Sequence, residues 1–157
     1  MHANATPRSA VVNACLRTES ESADIRYTLI EARAFEVTED TSSRKTVTIL
    51  RHENDAVGTW ERGKAAAFGL IFNGKEIPLM QVIRLDKENA PSSFNPYEAI
   101  WAIARDGKKS YICATFNFDG LGKSGSFQNV RGVYLIERSK HAKGPYYAVG
   151  NIGASEK

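Results

Sequence analysis

Apolar and polar residues alternate with a period of two along most of this chain, the pattern of strands that bury one face. It is clearest in residues 97–118, YEAIWAIARDGKKSYICATFNF, where two apolar runs flank Arg105-Asp106-Gly107-Lys108. Asp-Gly between such runs predicts a β-hairpin with a type I′ turn, because that turn needs positive φ at both central residues. With Asp106 and Gly107 at the centre, Trp101 lies opposite Ile112, Ala99 opposite Ala114 and Tyr97 opposite Phe116. That face reads as core. The other face carries Ile100, Ala102, Tyr111 and Cys113 beside Glu98 and Thr115, so some other segment covers part of it.

Asn73-Gly74 predicts a second hairpin, with Phe72 facing Lys75, Leu70 facing Ile77 and Phe68 facing Leu79. Pro78 cannot donate to a ladder and marks an edge or a bulge on a returning strand that runs on to Leu85. Residues 25–37 read as one long, bulged strand, 38–43 as a polar turn and 45–51 as a strand. Residues 52–55 form a loop, 58–63 hold Trp60 among polar neighbours, and 64–67 look locally helical. Phe94 plugs the end of the core from the irregular stretch 86–96. Two more strands cover 131–137 and 145–152, joined by the basic turn 140–144.

Near the start, Thr6 and Pro7 suit the cap and first position of a short helix. Val11, Val12, Cys15 and Leu16 then share one side of it. About eight strands with no βαβ rhythm predict a mainly β fold: an antiparallel β-sandwich or small β-barrel with one short N-terminal helix. The division is an N-terminal arm (1–24), a single β-domain (25–152) and a flexible tail (153–157).

Composition changes this picture little. A chain of 157 residues, 42% hydrophobic and 25% charged, suits one globular domain. No run approaches the ~20 apolar residues that span a bilayer. Charge is more informative. Residues 1–104 hold 12 Lys+Arg and 14 Asp+Glu, a net of −2, and residues 105–157 hold 9 and 4, a net of +5. The basic half reads as a solvated face or as the footprint of an anionic partner.

The two cysteines, Cys15 and Cys113, read either as free buried thiols in a cytoplasmic protein or as one disulfide tying the N-terminal arm to the central hairpin. The disulfide is the favoured reading and implies a periplasmic or secreted setting. Ala3-Asn4-Ala5 resembles the small-residue end of a signal peptide, with Met1 as an added start. Val12-Asn13-Ala14-Cys15 faintly resembles a lipoprotein box, but the apolar stretch before it is too short.

Candidate chemistry is sparse. Gly122-Lys123-Ser124 resembles the end of a P-loop, but Asn117 stands where the first glycine is required and a strand follows instead of a helix. His2, His52 and His141 have no His or Cys neighbour at metal spacing. His52-Glu53-Asn54-Asp55 lacks the pattern of a calcium loop and reads as a solvated turn. No catalytic residue, metal or cofactor is expected. Trp60 and Tyr146, with Gly122, Lys123, Ser124, Lys140 and His141, are the candidates for contact with a partner, as aromatics and loop cations set among polar residues.

The expected function is a non-enzymatic binding domain whose loops engage a protein partner, acidic where it meets the basic turn, as in an inhibitor or immunity-type protein. A calycin-like barrel around a small apolar ligand is one alternative. An enzyme of unnamed class using the loop 120–126 is another. Nucleic acid is disfavoured, since no RNP-type motif occurs.

Overall fold

The computed structural model describes residues 6–20, 22–31, 34–63, 67–118, 130–139 and 142–152. After helix α1 (Ser9–Arg17) come β1 (Ile25–Leu29), β2 (Glu36–Asp40), β3 (Lys45–His52), β4 (Asp55–Arg62), β5 (Ala67–Phe72) and β6 (Lys75–Pro78). A 3₁₀ turn (Leu79–Gln81) leads to β7 (Ile83–Arg84), and β8 (Ile100–Asp106), β9 (Lys109–Asn117), β10 (Val130–Glu137) and β11 (Tyr146–Asn151) follow. The strands form two sheets, ordered β1-β8-β9-β10-β11-β7 and β2-β3-β4-β5-β6. Every pairing is antiparallel except β11 with β7. This is a β-sandwich and not a closed barrel. No helix among the described residues is long and apolar enough to cross a membrane.

The two sheets bury a ring-rich core. Trp101, Ile103, Ile112, Ala114, Tyr134, Ile136 and Tyr147 from one sheet meet Leu50, Val57, Leu70 and Ile77 from the other. Phe94 enters from its loop as expected, stacked on Phe116 at 4.9 Å and 6.1 Å from Trp101. The two sheets stay open at their edges and do not close into the barrel that a calycin-like fold requires.

Residues 25–37 do not make one strand. Their two ends pair in different sheets, β1 with β8 and β2 with β3. Ile30 is the last residue to bond β8, donating to the carbonyl of Trp101 at 2.9 Å. The polar turn expected at 38–43 is thus partly strand β2. The matching crossing lies on the far side of the sandwich. There β6 stops at Pro78, opposite Gly69, before Leu79 can pair with Phe68. The chain then turns through the 3₁₀ segment into β7 of the other sheet.

The central hairpin forms one position away from the expected turn. Asp106 pairs with Lys109, and Trp101 lies opposite Ala114. Positive φ falls on Gly107 (64°) and on neither Asp106 nor Lys108. One left-handed residue at the first central position is the requirement of a type II′ turn, and glycine meets it without Cβ strain. The displacement moves each partner by two residues, so both faces keep their assignment. Asn73 (50°) and Gly74 (87°) do form the two-residue turn with two positive φ angles, and Phe72 pairs with Lys75.

The outer face of the six-stranded sheet is apolar too. Helix α1 covers it, with Val11, Ala14, Cys15 and Leu16 against Ile25, Ala104, Tyr111, Cys113, Val133, Leu135 and Tyr146. The helix begins after Arg8, and neither Thr6 nor Pro7 takes the expected position. Arg8 instead binds Asp106 through Nε and Nη2, each at 2.8 Å, and Asp24 at 2.8 Å. At the other end the last carbonyls, which have no partner within a helix, are taken by the sheet. Thr115 Oγ1 donates to the Cys15 carbonyl at 2.8 Å and Arg131 Nη1 to that of Leu16 at 2.7 Å. Cys15 and Cys113 are disulfide-bonded, with Cα atoms 6.1 Å apart.

The bond closes a loop with a sequence separation of 98, so its loss releases the denatured chain by about 4–5 kcal/mol in the chain-entropy account. Cys15→Ala/Cys113→Ala should lose about that much in urea unfolding and match the reduced wild type. Burial pushes the Tyr27, Tyr111 and Tyr147 phenols up to about 12. The folded chain therefore binds more protons than the unfolded one above pH 10, and stability should fall as pH rises from 10 to about 12. The phenolate absorbance of these three buried tyrosines should appear together with loss of the fold, not before it.

Candidate functional site

The ladder of β9 with β10 runs from Arg131 opposite Asn117 to Glu137 opposite Tyr111. The connection after Asn117 and the one after Glu137 therefore leave opposite ends of the sandwich. Two clefts occupy these ends. One, about 340 Å³, is lined by Ser92, Phe94, Glu98, Phe116 and Phe118. The other, about 350 Å³, lies among the start of β4, the β5–β6 turn and the β10–β11 connection.

The second cleft is built around Arg138, the residue that follows β10. Its backbone amide donates to the Ser110 carbonyl at 2.9 Å, which continues the sheet by one bond. The guanidinium then reaches across to the five-stranded sheet. Nε donates to Asp55 Oδ2 at 2.7 Å, Nη2 to Glu53 Oε1 at 2.7 Å and Nη1 to Ser110 Oγ at 3.1 Å. Asn73 completes the fastening: Nδ2 donates to Asp55 Oδ1 at 3.0 Å, and Oδ1 accepts from the Ala56 amide at 2.7 Å. The Arg138 and Asp55 side chains are only 14% and 15% exposed, so this pair is largely shielded from water.

The charges respond accordingly. Burial lowers the Arg138 pKa, but hydrogen bonds to Glu53 and Asp55 and their charges outweigh it, and the guanidinium is held above its ordinary value. The Arg138 hydrogen bond holds the Glu53 carboxyl below the usual carboxylate range. That contribution is present above the ordinary carboxylate pKa and is lost on acidification through the lowered one.

Beside this fastening the cleft floor is apolar, with Phe72, Ile77, Ile136 and Pro145, and the exposed lysines Lys75 and Lys143 stand at its rim. The arrangement can seat an apolar contact under a carboxylate. Arg138 takes Glu53 Oε1 and Asp55 Oδ2, and Asn73 takes Asp55 Oδ1. Among the described residues no group of three or more His, Cys, Asp or Glu is gathered for a metal.

The residues singled out in the sequence are not brought together. Trp60 is 7% exposed, on the outer face of the five-stranded sheet, with Lys45 Nζ 5.9 Å from its ring. An added Cβ at Gly69 would come within 2.5 Å of Trp60 Nε1, so the glycine leaves room for the indole. Tyr146 is 1% exposed, in the cluster beneath α1. Both rings are therefore buried, although their sequence neighbours are polar. Gly122, Lys123, Ser124, Lys140 and His141 lie outside the described residues, as do 64–66 of the locally helical stretch and the tail 153–157. Of the basic turn, Lys143 lies at the cleft.

Arg138, Asp55, Asn73 and Lys75 escape the reading of the sequence as functional residues. The signal available was an arginine directly after an apolar strand, and two turns, Glu53-Asn54 and Asn73-Gly74, whose polar side chains exceed what the turns need. Comparison with models of known families, with curated proteins and with solved structures found no match.

Arg138→Met removes the pin and leaves Asp55 without its charged partner, which should cost about 2–3 kcal/mol. Chemical denaturation measures it. The double change Arg138→Met/Asp55→Leu should recover part of the loss, since no shielded charge is then left alone.

Proposed function

We propose that this chain is a non-catalytic protein-binding domain of a periplasmic or secreted setting. It engages an acidic partner through the cleft at the Arg138 end, in the manner of an inhibitor or immunity-type protein. The observation that carries this reading is the cleft itself. Turns from both sheets are held in fixed relation by the Arg138 fastening, and an apolar floor lies beneath two exposed rim cations, Lys75 and Lys143. A rigid receptacle loses little conformational freedom on binding. Rim lysines favour a carboxylate-bearing loop and steer its approach. The disulfide supports the oxidising setting, since such bonds are rare in reducing compartments.

The net of +5 over residues 105–157 agrees with an acidic partner. The lysines contribute at the surface, where salt screens them over about 8–10 Å at physiological strength. The interaction should therefore be strongly salt-dependent.

Immobilised domain, wild type and Lys75→Glu/Lys143→Glu, should be compared as bait for the extracellular fractions of the source cell. A stoichiometric acidic protein should be retained by the wild type and released by about 0.5 M salt. Its affinity for the variant should be at least about tenfold lower, while the variant keeps its disulfide and unfolding midpoint. Retention indifferent to both the variant and salt would count against the reading.

A further inference from the structure

The two sheets have four edge strands, and three are closed to further pairing. β6 ends in Pro78, which has no amide to donate. β7 is two residues long. Along β1 the Ile25 amide donates to the Ser22 carbonyl at 3.3 Å and the Tyr27 amide to Ser20 Oγ at 2.9 Å, so the segment before the strand covers its rim.

β2 is different. All five of its residues, Glu36 to Asp40, are exposed. It has no proline, bulge or covering segment among the described residues, and three of its five side chains are carboxylates. An apolar groove of about 260 Å³ opens beside it, walled by Leu29, Phe35 and Tyr97. Phe35 meets Tyr97 edge-on at 5.1 Å. Leu29 is 56% exposed, Val37 46% and Tyr97 58%, three of the five exposed large hydrophobic residues of the described chain.

The charges decide what can pair here. In a symmetric antiparallel pairing of two copies about Thr38, Glu36 would face Asp40 of the other copy, and Val37 would face Glu39. Like charges directly opposite destabilise a ladder, so a second copy is repelled. A basic strand is welcomed, as the inner neighbour of β2 already illustrates. β3 sets Lys45 opposite Asp40, and Arg51 Nε lies 2.7 Å from Glu36 Oε2.

We infer that β2 is a docking edge for an extended segment of a partner protein that carries Lys or Arg. The segment adds a sixth strand to the five-stranded sheet and seats an apolar side chain in the groove walled by Leu29, Phe35 and Tyr97. Main-chain bonds supply affinity in such strand addition, and the groove and the carboxylates supply selectivity. This surface is separate from the Arg138 cleft and uses none of its residues.

The test uses two labelled peptides and the whole chain. The first, KTVTILRH, copies β3, and the second is its acidic twin carrying K45E, R51E and H52E. Fluorescence anisotropy should give at least about tenfold tighter binding of the basic peptide. Amide hydrogen exchange should slow at residues 36–40 and stay unchanged around Arg138. Glu36→Lys/Glu39→Lys should invert the preference between the peptides. Tyr97→Ala, at an exposed site that leaves the fold intact, should weaken the basic peptide. Equal affinity for both peptides, no binding of either at millimolar concentration, or slowed exchange elsewhere would overturn the assignment. So would sedimentation as a dimer that protects β2.

Discussion

The six-stranded sheet is apolar on both faces, and the architecture follows from that constraint. A sheet with one wet face could end with the sandwich partner. This one buries Trp101, Ile112 and Tyr134 toward the second sheet and Tyr111, Cys113 and Leu135 on the other side. Something must cover the second face, and the chain supplies a nine-residue helix, too short to persist alone in water. Its stability is therefore borrowed from the sheet by three means: apolar packing, side chains that satisfy its terminal carbonyls, and a covalent bond through Cys113. Thr115, buried to 1% exposure among apolar neighbours, is explained by this arrangement, because its hydroxyl is the donor that the helix end lacks.

A second constraint is how two sheets stay in register. The chain crosses between them on both sides, from β1 to β2 and from β6 to β7, so neither edge can slide far. The two ends are closed by different chemistry. At one end aromatic rings do it: Phe94 lies within 4.9–6.1 Å of Phe116, Tyr134 and Trp101. At the other, Arg138 bridges the sheets through Asp55 and Glu53. An aromatic plug gains from area buried. A charged bridge gains only where its bonds are complete, which is why Ser110 and Asn73 surround it.

What could be read from the sequence was what is local. Alternation located most of the strands, Asn73-Gly74 formed the turn that its residue types require, and residues 100–116 of the central hairpin fall on the expected faces even though its turn lies one residue away; Tyr97, expected in the core, precedes β8 and is 58% exposed. The Cys15–Cys113 bond was legible as one of two readings, since Cys113 lies on the half-apolar face that needed a cover. Residues 25–37 were misread as one strand because each half shows strand character, and which sheet each half joins is decided by contacts far along the chain. Trp60 and Tyr146 looked exposed because their sequence neighbours are polar. Alternation places every second residue on the opposite face, and what covers that face is a matter of tertiary structure. Arg138 and Asp55 are separated by 83 positions, and no local pattern joins them.

The helix and the cleft are tied to the same hairpin end. Asp106 closes the β8–β9 turn and holds Arg8 at the start of α1, and Ser110, early in β9, receives the amide and guanidinium of Arg138. One turn thus anchors the N-terminal arm on the outer face and the cleft fastening at the inner end. Anchoring two long-range arginines on a tight turn is economical, since a type II′ turn fixes both strand ends with few degrees of freedom. The disulfide attaches farther along β9, at Cys113, on the face turned away from the cleft. Breaking it loosens the cover of the outer face, while the contacts of Arg138 with Asp55, Glu53 and Ser110 lie on the other side of the sheet. The covalent tie of α1 and the Arg138 fastening are therefore carried by different residues, and each can be altered without removing the bonds of the other.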